Sequence, residues 1–361
     1  MFKMKNHFLI LLFILFYSCS DDKSLNFIIY ESSEAEKNIY QYQPFKLKGQ
    51  NLGLTNDSIL YSPRDIDVSG DTLLVTDSKG DYLILLFDLT NSQLLGSFNA
   101  KGYGPNEMMD APFAQFLSKN RLNAYDITLS KVNTLEVSEK SIKITNQYKV
   151  PRMVYNVHAI SDSVVLGLTY TGDSRLVRIN RKSNEEIPIG DIPKIDNSNI
   201  PKHILGQAFD SKLHLSSDKS FAIISNRYSD QIEIFDLNNV EENPIIIKGP
   251  DFFNPVIKIA NRGESTVLAQ NDEMRFGYVD LYTAENYIYG LYSGNSRKEK
   301  PGVAHYGDKV LVFDFEGNFK ALFILDRNVL RIAVDAKSHR LFASDFENKE
   351  HDIIQFEMPK F

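Results

Sequence analysis

Cysteine is almost missing: Cys19 is the one example in 361 residues. Such a chain cannot close an internal disulfide, so any fold it adopts has to be held by a buried core. Charge of one sign is not concentrated either. The formal net charge is −7 and the 40 Lys and Arg residues are scattered without a basic block, which argues against a nucleic-acid partner, because neutralising phosphates needs a concentrated positive face. After residue 20 there is no apolar run of about 18 residues, so nothing there reads as a membrane-spanning helix. Catalytic signatures are also lacking. No Gly-x-Ser-x-Gly elbow occurs, and His158, His203, His214, His305, His339 and His351 form no His-x-x-x-His or His-Glu-x-x-His pair, which speaks against a serine-hydrolase nucleophile and a local metal site. What the chain does have is 43% hydrophobic and 12% aromatic residues against 24% charged, enough for a large core and too many for wholesale disorder.

The N-terminus differs from the rest. Lys3 and Lys5 precede an apolar stretch from Phe8 to Tyr17, the charged-then-apolar layout of a cleaved secretory signal over residues 1–18. Cys19 follows directly after Phe16-Tyr17-Ser18. This resembles the lipobox of bacterial lipoproteins, in which the cysteine becomes the acylated first residue; two or more acyl chains make such an anchor stable. Ser20-Asp21-Asp22-Lys23 is similar to the acidic export signal of Bacteroidota surface lipoproteins. Together these imply an outer-membrane lipoprotein in the cell envelope. Residues 19–42, rich in Ser, Glu, Asn and Lys, read as a flexible tether from membrane to domain.

Beyond the tether a repeat emerges. Pro63 to Val68, Leu73 to Asp77, Leu83 to Leu89 and Leu94 to Phe98 are four short apolar strands separated by Gly, Asp, Ser and Asn turns, the pattern of one antiparallel propeller blade. The turn residue Asp71 has counterparts at Asn120, Asp162, Asp218, Asn286 and Lys337 or Ser338, about 42 to 68 residues apart, bracketing the roughly 40 to 50 expected per blade. The expectation is an all-β, six-bladed propeller of four-stranded antiparallel blades over residues 43–361, without convincing amphipathic helices. The last unit ends three strands long at Phe361, so Phe45-Lys46-Leu47-Lys48 is expected to supply its fourth strand and close the ring. A seven-bladed count, with a degenerate blade in residues 249–277, is the rival. The six-bladed count assigns Val256 to Ala260 to the end of the fourth blade and Thr266 to Ala269 to the start of the fifth.

With the spread of blades, the Gly102-Tyr103-Gly104-Pro105-Asn106-Glu107 turn and the Arg275-Phe276-Gly277-Tyr278 run, the chain over roughly residues 40–361 resembles the TolB-like six-bladed propeller lipoproteins of Bacteroidota. The resemblance implies a fold and an address. It brings no catalytic residues.

Counting four residues back from each of the first five turn markers gives Asp67, Phe116, His158, His214 and Tyr282, and the last blade offers Arg331 or a neighbour a few positions before its marker. On innermost strands all would lie near the propeller axis, and Arg64 and Tyr155, three positions earlier, would sit nearer the entrance of a funnel. The bland alternative is that these side chains hydrogen-bond between neighbouring blades, as buried polar groups must. The Gly102 turn superficially resembles a phosphate-cradling loop, but no helix follows it; it reads as a tight turn with Gly at positive φ. Phe252-Phe253 and Tyr278, Tyr282, Tyr287, Tyr289 and Tyr292 could stack on a sugar or a partner protein, although most of those tyrosines alternate as strand residues and fit packing. The first functional expectation is a non-enzymatic, monomeric, envelope-anchored binding or scaffold protein for a protein or glycan partner, needing no cofactor. The alternative is a propeller lyase or hydrolase acting on a carbohydrate or lactone, with a divalent cation or histidine cluster on the axis; fold analogy alone supports it.

Overall fold

The computed structural model describes residues 23–361 except 32–33, 55–59, 99, 139–140, 151–153, 196–198 and 346–351. The signal segment, Cys19, the export signal up to Asp22, and His351 lie outside the described residues. Strands follow one another through the chain. β1 (Lys23–Glu31) and β2 (Glu34–Tyr42) form a hairpin, followed by the short β3 (Phe45–Leu47) and β4 (Gly49–Asn51). Then come three four-stranded antiparallel blades: β5 (Pro63–Ser69), β6 (Thr72–Asp77), β7 (Ile84–Asp88) and β8 (Gln93–Phe98); β9 (Phe113–Ser118), β10 (Arg121–Asp126), β11 (Lys131–Ser138) and β12 (Ser141–Lys149); β13 (Val154–Ser161), β14 (Val164–Thr169), β15 (Leu176–Asn180) and β16 (Glu186–Ile189).

A short helix, α1 (Lys202–Ala208), leads into the fourth blade: β17 (Ser211–Leu215), β18 (Phe221–Asn226), β19 (Gln231–Asp236) and β20 (Ile245–Lys248). β21 (Ile259–Arg262) and β22 (Ser265–Leu268) pair only with each other. β23 (Tyr278–Ala284), β24 (Tyr287–Tyr292) and β25 (Gly307–Asp314) lead into β26 (Phe319–Asp335), whose first part pairs with β25 and whose last part pairs with β27 (Arg340–Asp345). One long strand thus ends the fifth blade and begins the sixth, which continues through β28 (Ile353–Glu357) to β4.

The first strands of the six blades line the axis. β5 packs on β9, β9 on β13, β13 on β17, β17 on β23, β23 on β26, and β26 back on β5. Each blade is covered on both faces by its neighbours, so its middle strands are continuous apolar runs rather than alternating ones. In β6 the side chains still divide by parity: Leu73 and Val75 join the cluster that holds Leu341 and Phe356 of the sixth blade, whereas Leu74 joins Ala114, Leu122 and Leu135 of the second.

Four expectations need correction. Residues 23–31 and 34–42 are paired strands and not a tether: β1 adds to the outer edge of β20, with Ile28 opposite Lys248, because Phe27 is apolar enough to be fully buried against Phe313 and Phe319. Phe45–Leu47 runs parallel to β26 instead of completing the last blade, and the strand beside β28 is Gly49–Asn51. At Gly49 a side chain would meet Ile354 at 2.4 Å, so glycine permits that approach. The strand-like runs in 249–277 belong to no blade; they form the β21–β22 hairpin, whose first strand is wholly exposed. Finally, Gly102 and Gly104 do not adopt positive φ. They leave room for Glu107, whose carboxylate would stand 2.0 Å from a Cβ on Gly102 and accepts the Gly104 amide at 2.8 Å.

Candidate functional site on the axis

Because the six first strands start at one end of the axis and finish at the other, residues at equal depth come together. The seven candidates fall into two layers. Asp67, His158, His214 and Tyr282 meet deep inside, around a cavity of about 20 Å³ also lined by Asn123, Gln115 and Lys212. Arg64, Tyr155 and Arg331 meet above it, around a mouth of about 260 Å³ shared with Asp110, Tyr170, Asp210, Arg227 and others. Phe116 lines neither and contributes its backbone amide, which donates to Asp67 at 2.7 Å.

The deep layer is built as joints between blades. Asp67 on β5 also accepts from the Tyr282 hydroxyl at 2.6 Å and the Val68 amide. His214 on β17 is 2.8 Å through Nδ1 from Thr283 Oγ on β23. Asn156 on β13 accepts the Leu213 amide of β17 at 2.6 Å, and Asp280 on β23 accepts the Ile332 amide of β26 at 2.8 Å. Tyr125 donates to the Val154 carbonyl, joining the second and third blades, and Arg331 donates from Nε to the Arg64 carbonyl at 2.7 Å, joining the sixth to the first. Every neighbouring pair of blades is therefore linked near the axis by a side chain. These bonds satisfy backbone groups that the blades' own ladders leave over.

Burial sets the chemistry of that layer. It pushes the Asp67 carboxyl up to about 6 in spite of three donors. It holds His158 well below the usual imidazole range, with His214 beside it adding to the effect, and it takes His214 to about 4. Both rings are neutral near pH 7, with centroids 5.5 Å apart. Among the described residues neither polar atom of the Asn123 side chain has a partner, and the His158 ring has only the Leu213 backbone beside it as one. The cavity they share is of water size, far smaller than a sugar or lactone. Among the described residues no three His, Cys, Asp or Glu side chains converge on one point as metal ligands.

Lys212 and Phe113 line both cavities and so form the floor between them. The Lys212 ammonium is 2.5 Å from Asp65 and 3.4 Å from Asp280, all three side chains being nearly buried, and stands 5.0 Å from the Phe113 ring centroid. Burial raises the Asp65 carboxyl, with Lys212 opposing and the like charge of Asp280 reinforcing. This triad escaped the sequence reading although a signal existed. Asp65, Lys212 and Asp280 each lie two residues before a chosen candidate, Asp67, His214 and Tyr282, and residues two apart on a strand share a face.

In the mouth, Tyr155 and Tyr170 stack at 4.0 Å, and Asp210 pairs with Arg227 at 3.0 Å. The ends of the torus differ. The opposite end has tight turns with Gly70, Lys219, Glu285 and His339 at positive φ. The mouth end carries the long connections 99–112, 190–210, 249–277 and 293–306. Within them, α1 holds the β21–β22 hairpin through His203 to Thr266 and Gln207 to the Leu268 amide. Phe252 is partly exposed there, while Tyr278, Tyr282, Tyr289 and Tyr292 are buried in the blades. A separate, wider groove of about 760 Å³, lined by Asp191, Glu241 and Glu242 among others, lies at the outer margin of the third and fourth blades.

A family model described as TolB-like 6-blade propeller-like matches residues 34–337. No curated protein matches the sequence. Among solved structures, a member of the DUF4221 family from Bacteroides vulgatus is similar with a TM-score of 0.56 at 12% identity, covering 88% of this chain and 97% of that one. A streptogramin B lyase gives a TM-score of 0.44 at 11% identity, with 92% and 98% covered. The propeller domain of Cps50 (Swd1) from Myceliophteria thermophila gives 0.43 at 12%, with 82% and 84% covered. Likeness at such identities concerns the fold alone.

Proposed function

The chain belongs to the TolB-like six-bladed propeller-like family, and from that premise we propose that it is an envelope-anchored, non-enzymatic binding protein that receives a protein or glycan partner at the mouth end of its axis. One observation carries the reading: the open axial cavity and the longest connections occupy the same end, while the opposite end is closed by tight turns. Insertions in repeat folds collect on the face that binds, because loops tolerate variation that the blades do not. The deep layer favours binding over catalysis. Asp67, His214 and Asp280 are spent on joints between blades, and the cavity that Asn123 and His158 share admits nothing larger than water. The reading calls for no bound cation. The pairing of β4 with β28 is taken as the closure that makes the axis continuous.

The address is part of the proposal. Cys19, acylated after removal of residues 1–18, would hold the propeller at the outer membrane, possession of a lipid anchor being the only membrane attachment the reading requires. Replacing Cys19 by Ala should move the protein from the membrane fraction to the soluble one; unchanged fractionation defeats the anchor. For the face, wild type is compared on arrays of envelope glycans and envelope proteins with two variants. In one, residues 259–268 are shortened to a Gly-Gly link; in the other, the distant Arg121–Asp162 pair is replaced by alanines. Binding lost in the first and kept in the second supports the reading, and the reverse pattern overturns it.

A further inference from the structure

Guanidinium groups gather at the mouth, and not all of them are in ion pairs. Arg227 is committed to Asp210, and Lys212 to Asp65 and Asp280. Among the described residues neither Arg64 nor Arg331 nor Arg297 is ion-paired. Arg64 is exposed and makes no side-chain hydrogen bond among the described residues, while its carbonyl holds Arg331 in place. Arg331 spends Nε and Nη1 on the carbonyls of Arg64, Val279 and Leu330. Its Nη2 has no partner among the described residues. Arg297 lies over the Phe276 ring at 5.5 Å from the centroid, with its Nε buried and unpartnered. Tyr155, a side chain only 3% exposed, lines the same cavity; its hydroxyl accepts from the Ser211 amide, and the hydroxyl proton has no acceptor among the described residues.

Arg227 and Arg64 repel Arg331 while Asp280 and Asp65 attract it without an ion-pair contact, and its carbonyl partners orient the guanidinium and leave its outer edge toward the cavity. In a chain of net charge −7 the arrangement is not a by-product of a basic surface. A site that holds cations by their own framework and leaves their outer nitrogens and a phenol proton unspent is preorganised for an acceptor carrying negative charge. The half-buried His305 is also held below its usual range, first by burial and then by Arg227, Arg297 and Arg331, in keeping with a positive field here.

We propose that the axial mouth is a binding site for an anionic head group, a carboxylate or a phosphate, gripped by Arg64 and Arg331 and completed by the Tyr155 hydroxyl. The inference rests on the mouth being the recognition face and names the chemistry it selects. The floor of Lys212 and Phe113 stops the ligand at one group's depth, so the anion is the tip of the ligand and the surrounding loops meet the rest. Asp110, also in the lining, turns away ligands with a second negative charge on that side.

The test uses the intact lipid-free chain, Cys19→Ala, titrated by protein-observed NMR with inorganic phosphate, with acetate and with neutral glucose. Wild type should bind at least one of the anions and not glucose, with affinity falling as sodium chloride is raised. Arg64→Ala should weaken that binding about tenfold or more, Arg64→Glu should abolish it, and Arg121→Ala at the opposite end should leave it unchanged. Phosphate bound in preference to acetate assigns a phosphoryl head group, and the reverse a carboxylate. Binding that persists in Arg64→Glu, or no anion binding at all, overturns the proposal. Glucose bound as well as the anions overturns it too, yet leaves the recognition face standing. Arg64 is exposed and supports its neighbour only through its carbonyl, so these variants fold, and their unchanged thermal transition is the control.

Discussion

At the scale of single residues the most demanding group is Arg175. It is fully buried, with its guanidinium on Glu233 at 3.0 Å, the Phe209 carbonyl at 2.9 Å, and Ser211 and Asn226 at 2.7 Å each. Breaking one side of a buried pair strands the other charge. Arg175→Met should cost about 3–5 kcal/mol in urea denaturation, whereas Arg175→Met combined with Glu233→Met should cost less than the single change. A single variant at or near wild-type stability would deny the pair its role. Asp67 offers a pH signature. Its folded carboxyl sits at about 6 against an ordinary 3.8, so the fold favours the protonated form. The resulting contribution is present below pH 3.8 and is lost as pH rises through about 6. Relative to Asp67→Asn, wild type should therefore lose on the order of 3 kcal/mol between about pH 4 and pH 7, and a difference independent of pH would contradict the assignment. Much of the axis was legible in the sequence because depth along a strand is counted in residues from a turn. Asp67, His158, His214 and Tyr282 followed from that count. Their neighbours two positions earlier share the same parity and were equally legible. Arg175 and Glu233 were not, since a charge inside a middle strand reads as a surface residue until its partner 58 positions away is known.

At the scale of elements, the turn markers from Asp71 to Lys337 each precede a second strand, and β6, β10, β14, β18, β24 and β27 all follow them. That register survived because tight turns are local: their Gly, Asp and Asn residues act within four positions. Elements that depend on distant partners were misread. The N-terminal hairpin docks through the pairing of β1 with β20 and the packing of Phe27 against Phe313 and Phe319, with Ile29 buried and Tyr40 over the Phe27 ring, contacts that only the distant strands supply. Phe27→Ala should lower stability by about 3–5 kcal/mol, measured by chemical denaturation. A tether would leave it unchanged. The β21–β22 hairpin is the converse case: its apolar residues suggested a blade, but 47% of Ile259 stays exposed and the pair is held to α1 by polar contacts. The helix itself, seven residues without a side-chain cap, carries too little periodicity to be seen in sequence. It forms because Gly206 lets it approach the Tyr170 carbonyl, where a Cβ would stand at 2.4 Å.

At the scale of the whole molecule, the site exists only if the torus closes. Six first strands surround the axis, and the joints between them make the deep layer rigid and the mouth fixed in shape. Closure depends on residues near the beginning and the end of the described chain sharing one blade, with Gln50 opposite Gln355. A disulfide engineered there reads that neighbourhood directly, since two cysteines bridge only when their Cα atoms lie within about 7 Å. In a Cys19→Ala background, Gln50→Cys with Gln355→Cys should oxidise to an intramolecular disulfide, with a mobility shift reversed by reductant and a raised thermal transition. Two free thiols on a folded protein under the same oxidising conditions would contradict the closed torus, and with it the axial site.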